Sequence, residues 1–311
     1  MSKPMFGDAG WKPTRLGSRT GETFIITGAN SGTGFEAARI LLTKGASVVM
    51  LNRNADKSKA AIDTLKQELG DDIDVKFIKM DLGSLDSVRK AAADVLDQVP
   101  RINALICNAA IAQIPTQQMT DDGFESMLGV NHYGHFLLCG LLFERLEASS
   151  ARIVVVASAG YKWCKAIQFD DLNYDKNYDA MQTYCHSKLA QMMFAYELQR
   201  RIKAAGKSVQ VYVCHPGASR TQLLSDASMF NKVVWWFMSW FAQSAAEGAY
   251  PSLMCATEDG LKPQALYGPT SRWDTVGPVG ECALEPHPLD VDGAKKLWSV
   301  TEQKVGYVWK F

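Results

Sequence analysis

Six short apolar runs rich in β-branched residues recur along the chain, at 23–27 (TFIIT), 46–51 (ASVVML), 75–80 (VKFIKM), 102–107 (INALIC), 152–158 (RIVVVAS) and 209–214 (VQVYVC). Hydrophobicity that is continuous instead of alternating marks strands buried on both faces. The stretches between them read as helices: Phe35, Ala38, Leu41 and Leu42 fall at three- and four-residue spacings, and a charged helical segment fills 55–69. Strands alternating with helices build a parallel sheet covered on both sides. The expected fold class is therefore α/β, a Rossmann-type doubly wound parallel sheet in a single domain over 23–311, preceded by a polar arm at 1–22.

Beyond about residue 218 this rhythm ends. The sequence there predicts a helical excursion at 219–242, a helix at 243–257, a short strand near Leu266, a loop rich in Pro and Gly, and a last helix over about 290–305. Late segments of such sheets tend to cover the crevice at the strand ends, so 219–257 is expected to form a helical lid over the substrate. Its Trp235, Trp236, Phe237, Trp240 and Phe241 suit a lipophilic lid or, equally, a packing or dimer contact. Trp163, Tyr174 and Tyr178 are candidates for the same pocket wall.

Charge and cysteine usage narrow the function classes. Lys plus Arg (33) equals Asp plus Glu (33), which gives the chain no general attraction to nucleic acid. Seven cysteines lie singly with no C-x-x-C pair, the pattern of reduced thiols and neither a disulfide scaffold nor a zinc site. No metal is expected, and the five histidines are assigned to packing or hydrogen bonding. No signal-like N-terminal stretch is present, and no apolar run reaches the roughly 20 residues that span a bilayer. A cytoplasmic protein with at most peripheral membrane contact is expected, as a monomer or a homodimer.

The loop after the first run, Thr27-Gly28-Ala29-Asn30-Ser31-Gly32-Thr33-Gly34, has the spacing G-x-x-x-G-x-G at a strand-to-helix junction. Glycines there allow a tight turn and let a pyrophosphate approach the helix N-terminus. The second run ends in Asn52-Arg53, where an NAD site usually carries a carboxylate for the ribose hydroxyl. A guanidinium instead complements a 2′-phosphate, which points to NADP(H); the other reading of Arg53 is a solvated surface arginine. Asp81 and Leu82 follow the third run, with Asp81 either near the adenine or capping the next helix.

Tyr184-Cys185-His186-Ser187-Lys188 opens a helical stretch. Positions i and i+4 share a face, so a phenol and an ammonium can meet there, and a nearby cation lowers a phenol's pKa. Ser158 ends the fifth run, and Asn131 falls in the middle of a long helical pattern, where an asparagine is mildly unfavourable.

TGANSGTG, CNAA, Asn131, Ser158 and YCHSK, in this order, resemble the short-chain dehydrogenase/reductase superfamily over essentially the whole chain. The resemblance implies Asn131, Ser158, Tyr184 and Lys188 as a catalytic tetrad, with Asn131 positioning a water that links Lys188 to solvent. It implies Asn108, Ala109 and Ala110 beside the adenosine side of the cofactor. It places Pro216, Gly217 and Thr221 by the nicotinamide, which Tyr184 and Lys188 also face. YCHSKLA, FDDL (169–172), HPG and the closing Leu297-Trp298…Gly306 resemble the retinol dehydrogenase-like branch; CNAAI (107–111) and NHYGHFLLC (131–139) also resemble light-dependent protochlorophyllide reductases. Ala110 departs from the usual glycine, and the membrane-anchoring N-terminus common in animal retinol dehydrogenases is not expected from residues 1–22.

The expected activity is hydride transfer between NADP(H) and a bulky hydrophobic aldehyde or ketone, or the matching alcohol. The alternatives are light-dependent reduction of a carbon–carbon double bond and an NADPH-binding sensor without turnover. The dimer face, if one forms, is expected on the helices near 120–147 and 183–205.

Overall fold

A computed structural model describes residues 5–218 and 243–311. Thr221 and the Trp/Phe-rich part of the expected lid lie outside the described residues. The six apolar runs form β1 (Thr23–Thr27), β2 (Ser47–Asn52), β3 (Val75–Lys79), β4 (Ala104–Cys107), β5 (Arg152–Val156) and β6 (Gln210–Cys214). With β7 (Leu266–Ser271) and β8 (Val276–Cys282) they make one sheet in the order β3-β2-β1-β4-β5-β6-β7-β8. All neighbours pair in parallel except β7 and β8, which form an antiparallel hairpin. The Pro/Gly-rich loop expected after Leu266 is thus partly a strand. Its pattern VGPVGEC carries too few apolar residues to read as one, and pairing with β7 supplies what propensity lacks.

The helices are α1 (Gly32–Thr43), α2 (Ala55–Leu69), α3 (Leu85–Gln98), α4 (Gly134–Ala148), α5 (Ala180–Ala204), α6 (Ala245–Thr257) and α7 (Val291–Val305). Alternate side chains of each strand feed two separate cores, which is why the strands read as continuous apolar runs. Phe24, Ile26, Val48 and Met50 meet α1, α2 and α6 on one face. Ile25, Val49, Leu51 and Leu105 meet α3, α4, α5 and α7 on the other. The residues 245–257 expected in the lid therefore form a sheet-covering helix, with Ala249, Leu253 and Met254 fully buried.

The arm at 1–22 is also less free than its composition implies. Trp11 is buried, its N–H donates to Val279 O (2.8 Å), and its indole donates to Glu258 (2.7 Å). Part of the helices expected to offer a dimer face packs against the chain's own C-terminal residues. Phe136, Phe143 and Phe194 pack against Trp298, Trp309 and Phe311, with Phe136–Trp298 and Trp298–Trp309 ring centroids 4.9 and 5.1 Å apart. Among the described residues no helix is long and apolar enough to cross a membrane, and no cluster of His, Cys, Asp and Glu is placed to hold a metal.

Candidate active site

The strand order reverses at β1, between β2 and β4, and the crevice at the carboxyl ends of these strands is where such sheets bind ligands. The glycine loop lies there, and neighbouring strand ends hold it. Gly28 N–H donates to Leu51 O (2.9 Å) and Ala29 N–H to Asn52 Oδ1 (2.7 Å). Asn108 Nδ2 donates to the carbonyls of Thr27 (2.9 Å) and Gly28 (3.2 Å), while its Oδ1 accepts from the Thr33 hydroxyl (3.0 Å). Gly34 is a packing requirement: a Cβ there would stand 2.3 Å from Gly28 O and 2.5 Å from Asn108 Nδ2. Gly28 has φ +69°, and its Cβ would meet Ala109 at 2.9 Å.

Ser31 stands at the N-cap of α1 without a capping bond. By contrast Asn54, Ser84, Asp179, Ser244 and Asp290 cap α2, α3, α5, α6 and α7 with their own side chains. The first N–H groups of α1, around Gly32 and Thr33, are left without a side-chain acceptor at the positive end of the helix, which fits an anionic pyrophosphate. Asn30, Ser31, Gly32 and Thr33 are half-buried around it. Arg53 follows β2 and is exposed.

Asp81 does not cap α3. Its carboxylate accepts from Gly83 N–H (2.9 Å) and turns the chain, and Ser84 is the cap. Leu82 is buried beneath Gly134, where a Cβ would stand 2.5 Å from the Leu82 carbonyl oxygen. Ala110 and Pro216 are half-buried. Gly217 (φ +65°) lies under the β7–β8 turn, its Cβ position 2.4 Å from Thr275 O.

On α5, Tyr184 and Lys188 are one turn apart and buried, with Lys188 Nζ 5.9 Å from the Tyr184 ring centre. Lys188 Nζ donates to Val156 O at the end of β5 (3.1 Å) and to Gln191 Oε1 (2.8 Å). Ser158, two residues past β5, accepts from Gly160 N–H (3.1 Å). Its Oγ and Tyr184 Cε1 lie 3.4 and 3.6 Å from the Cβ position of Gly160, so hydroxyl and phenol ring flank the same point.

Asn131 is buried inside a π-helical turn, Gly129–Tyr133, and not in a regular helix as its sequence context predicts. Its amide clamps the loop after β4, accepting from Ile111 N–H (2.9 Å) and donating to Ile111 O (3.0 Å). The same Nδ2 donates to Ser187 Oγ (2.9 Å), and Ser187 donates to the Tyr184 carbonyl (2.7 Å). Both amide protons are therefore engaged by protein groups, and Asn131 reaches the Tyr184 turn through Ser187.

A parallel sheet of order 3-2-1-4-5-6-7, a glycine loop at its switch point and a Tyr–Lys pair beside Ser158 are now all in place. The family model for short chain dehydrogenases matches residues 22–231. The chain belongs to the short-chain dehydrogenase family. It is 39% identical over 303 residues to retinol dehydrogenase 14 of Mus musculus, covering 92% of this chain and 86% of that protein. It is 36% identical over 294 residues to retinol dehydrogenase 12 of Homo sapiens, covering 93% and 88%. The crystal structure of an uncharacterised protein from Mycobacterium paratuberculosis is similar over 97% of this chain and 100% of that one, at 34% identity and a TM-score of 0.79. The protein is thus an oxidoreductase of a family that uses a nicotinamide cofactor, similar to the retinol dehydrogenases.

Within this dehydrogenase, electrostatics differ from the sequence expectation at one point. Burial pushes the Tyr184 phenol up to about 12, with Ser158 hydrogen bonding offsetting part of the rise. Burial also pushes Lys188 down to about 7. The sequence expects a neighbouring cation to lower the phenol; burial instead raises it, and the part of the rise that is offset comes from Ser158 and not from Lys188.

Several residues of the site lie in or beside the quoted motifs but have no role assigned from the sequence. Asn52 carries the loop contact to Ala29 and is itself held by donating to Ser58 Oγ (3.1 Å). Thr27 Oγ1 accepts from the N–H groups of Asn108 and Ala109, both at 2.9 Å. His135 joins the two halves: Nδ1 donates to the Asn131 carbonyl (3.0 Å), which leaves Nε2 to accept from the Thr27 hydroxyl (2.9 Å). Only the i+4 spacing from Asn131 hints at this role in the sequence. Tyr178 donates to Ile114 O (2.7 Å), Tyr174 is buried, and Trp163 is 74% exposed, so these three expected wall residues do not share one environment.

Proposed function

We propose that this dehydrogenase is an NADPH-dependent reductase of bulky lipophilic aldehydes or ketones, able to run as the matching alcohol dehydrogenase. The observation that carries the reading is the convergence of Tyr184, Ser158 and Lys188 at the end of β5, two strands across the sheet from the glycine loop that follows β1. The uncapped N-terminus of α1 and the loop Gly28–Gly34 would hold the cofactor phosphates, Arg53 the 2′-phosphate, Asp81 and Leu82 the adenine side, and Asn108 to Ala110 the floor. Pro216 and Gly217, with Tyr184 and Lys188, would border the nicotinamide. When bound, the nicotinamide supplies or accepts the hydride.

The chain's own residues manage the proton. A phenol held up to about 12 is protonated at neutral pH, so Tyr184 is poised to give its proton to a carbonyl oxygen as charge develops there. Ser158 hydrogen-bonds the same oxygen, and the Lys188 ammonium stabilises the phenolate that remains. Asn131 acts by fixing the loop after β4 against the Tyr184 turn. Ala112, Ile114, Met127 and Cys185 cluster with Tyr184, and this apolar setting supports a lipophilic substrate, as do the relatives named as retinol dehydrogenases.

The test is NADPH oxidation in the dark with retinal, steroid ketones, aryl ketones and long aliphatic aldehydes. Turnover is expected on at least one, falling about 10²–10⁴-fold in Tyr184→Phe while NADPH binding is kept. A Tyr184→Phe enzyme within tenfold of the parent would end this reading.

A further inference from the structure

We propose that Gln191 is a positioning residue for this reaction: its amide oxygen fixes the Lys188 ammonium in direction while adding no counter-charge. The inference rests on the role given to Lys188 above. Gln191 follows Lys188 by one turn of α5 and is 1% exposed. Its Oε1 accepts from Lys188 Nζ at 2.8 Å, and Val156 O accepts from the same Nζ at 3.1 Å. An ammonium has three protons, so two are directed by these acceptors and the third is left for a ligand.

A second observation shows that this acceptor comes at a structural cost. Gln191 Nε2 is buried and has no partner among the described residues. Leucine or methionine would fill the same space without an orphaned N–H, and glutamate would offer an acceptor without one. Of these, only glutamine combines an acceptor with neutrality. The amide also suits both protonation states of the lysine, because its oxygen can receive from an ammonium or from an amine, whereas a carboxylate would lock the ammonium.

The surroundings of Lys188 are consistent with that need. Among the described residues, the titratable groups that act on it or feel it are Tyr184 on α5, Cys214 at the end of β6 and His135 on α4; none is a carboxylate. Burial pushes Lys188 down to about 7, with no carboxylate among the described residues to offset it. A group in that range exchanges its proton readily at working pH, which a proton-handling site requires.

The experiment uses Gln191→Glu and Gln191→Leu in the full chain. Lys188 is titrated by NMR on ¹³C-lysine-labelled protein, with Lys188→Met assigning its signal, beside the pH profile of kcat/KM with NADPH. In Gln191→Glu the Lys188 midpoint is expected to rise by about one to three pH units, and the alkaline limb of the rate to move up with it. In Gln191→Leu both are expected to move down. Should Gln191→Leu fail to fold, the near-isosteric Gln191→Glu carries the test alone. A Lys188 midpoint unmoved in Gln191→Glu overturns the proposal, and so does a midpoint that moves while the rate limb stays put. Failure of the parent reading would show separately, as a Tyr184→Phe enzyme that keeps its turnover.

Discussion

The glycine cradle is held by the ends of β1, β2 and β4, through Asn52, Asn108 and Thr27, whereas the Tyr184–Lys188 half draws on β5, α5, a π turn and the loop after β4. The first half is mostly backbone geometry with neutral side chains. The second is a set of buried titratable groups. Histidine placement sharpens the contrast: all five histidines, at 132, 135, 186, 215 and 287, follow the cradle, and none lies within 23–110. Burying neutral amides demands only partners, while burying titratable groups makes the second half sensitive to pH.

Acid should therefore separate the two halves, and this is the largest effect expected. Burial holds His132 down to about 3 and His135, His186 and His215 each down to about 4. These rings are neutral in the folded protein and take up protons near 6.5 once unfolded, so their contribution is complete above 6.5 and is lost as pH falls toward 4. Each should cost about 2 kcal/mol by pH 5. Urea unfolding at pH 7 and pH 5 checks the sum, and hydrogen exchange should show α4 and α5 loosening before β1 and β2. An unchanged midpoint at pH 5 would break the comparison.

The cradle should instead yield to a single methyl group. Gly34→Ala forces a Cβ against Gly28 O and Asn108, and overpacking of this kind costs about 1–3 kcal/mol. Cofactor affinity, read by fluorescence titration, should drop roughly 10- to 100-fold while the Lys188 titration stays where it was. A shift of both together would show that the halves are one cooperative unit, with His135 the obvious link. The smallest effect belongs to Arg53, which is exposed. Arg53→Ala should raise the KM for NADPH about tenfold and leave that for NADH nearly unchanged. Equal effects on both cofactors would return Arg53 to a solvated surface residue.

Much of this was legible in the chain itself. β1 and α2 fall on the residues read as strand and helix, because apolar continuity and 3.6-residue periodicity are local signals. The glycine spacing marked the loop, and the i, i+4 spacing put Tyr184 and Lys188 on one helical turn. The hairpin strand β8 was not legible, since its residues are strand-like only in the company of β7. Nor was the covering of α4 and α5 by Trp298, Trp309 and Phe311, which depends on where the C-terminus returns.

The sequence alone determined the alternation of strand and helix, the loop for an anion at the first junction and the residue types able to move a proton. These follow from spacing along one chain segment. Tertiary structure decided which neutral groups secure them. Asn52 and Asn108 brace the loop from two other strand ends, the π turn aims Asn131 at Ile111 and Ser187, and Gln191 meets Lys188 in a buried space. A hydrogen-bond partner distant in sequence is chosen by packing, and burial shifts the titration of Tyr184 upward and of Lys188 downward. Neither quantity exists until the helices have closed over the sheet.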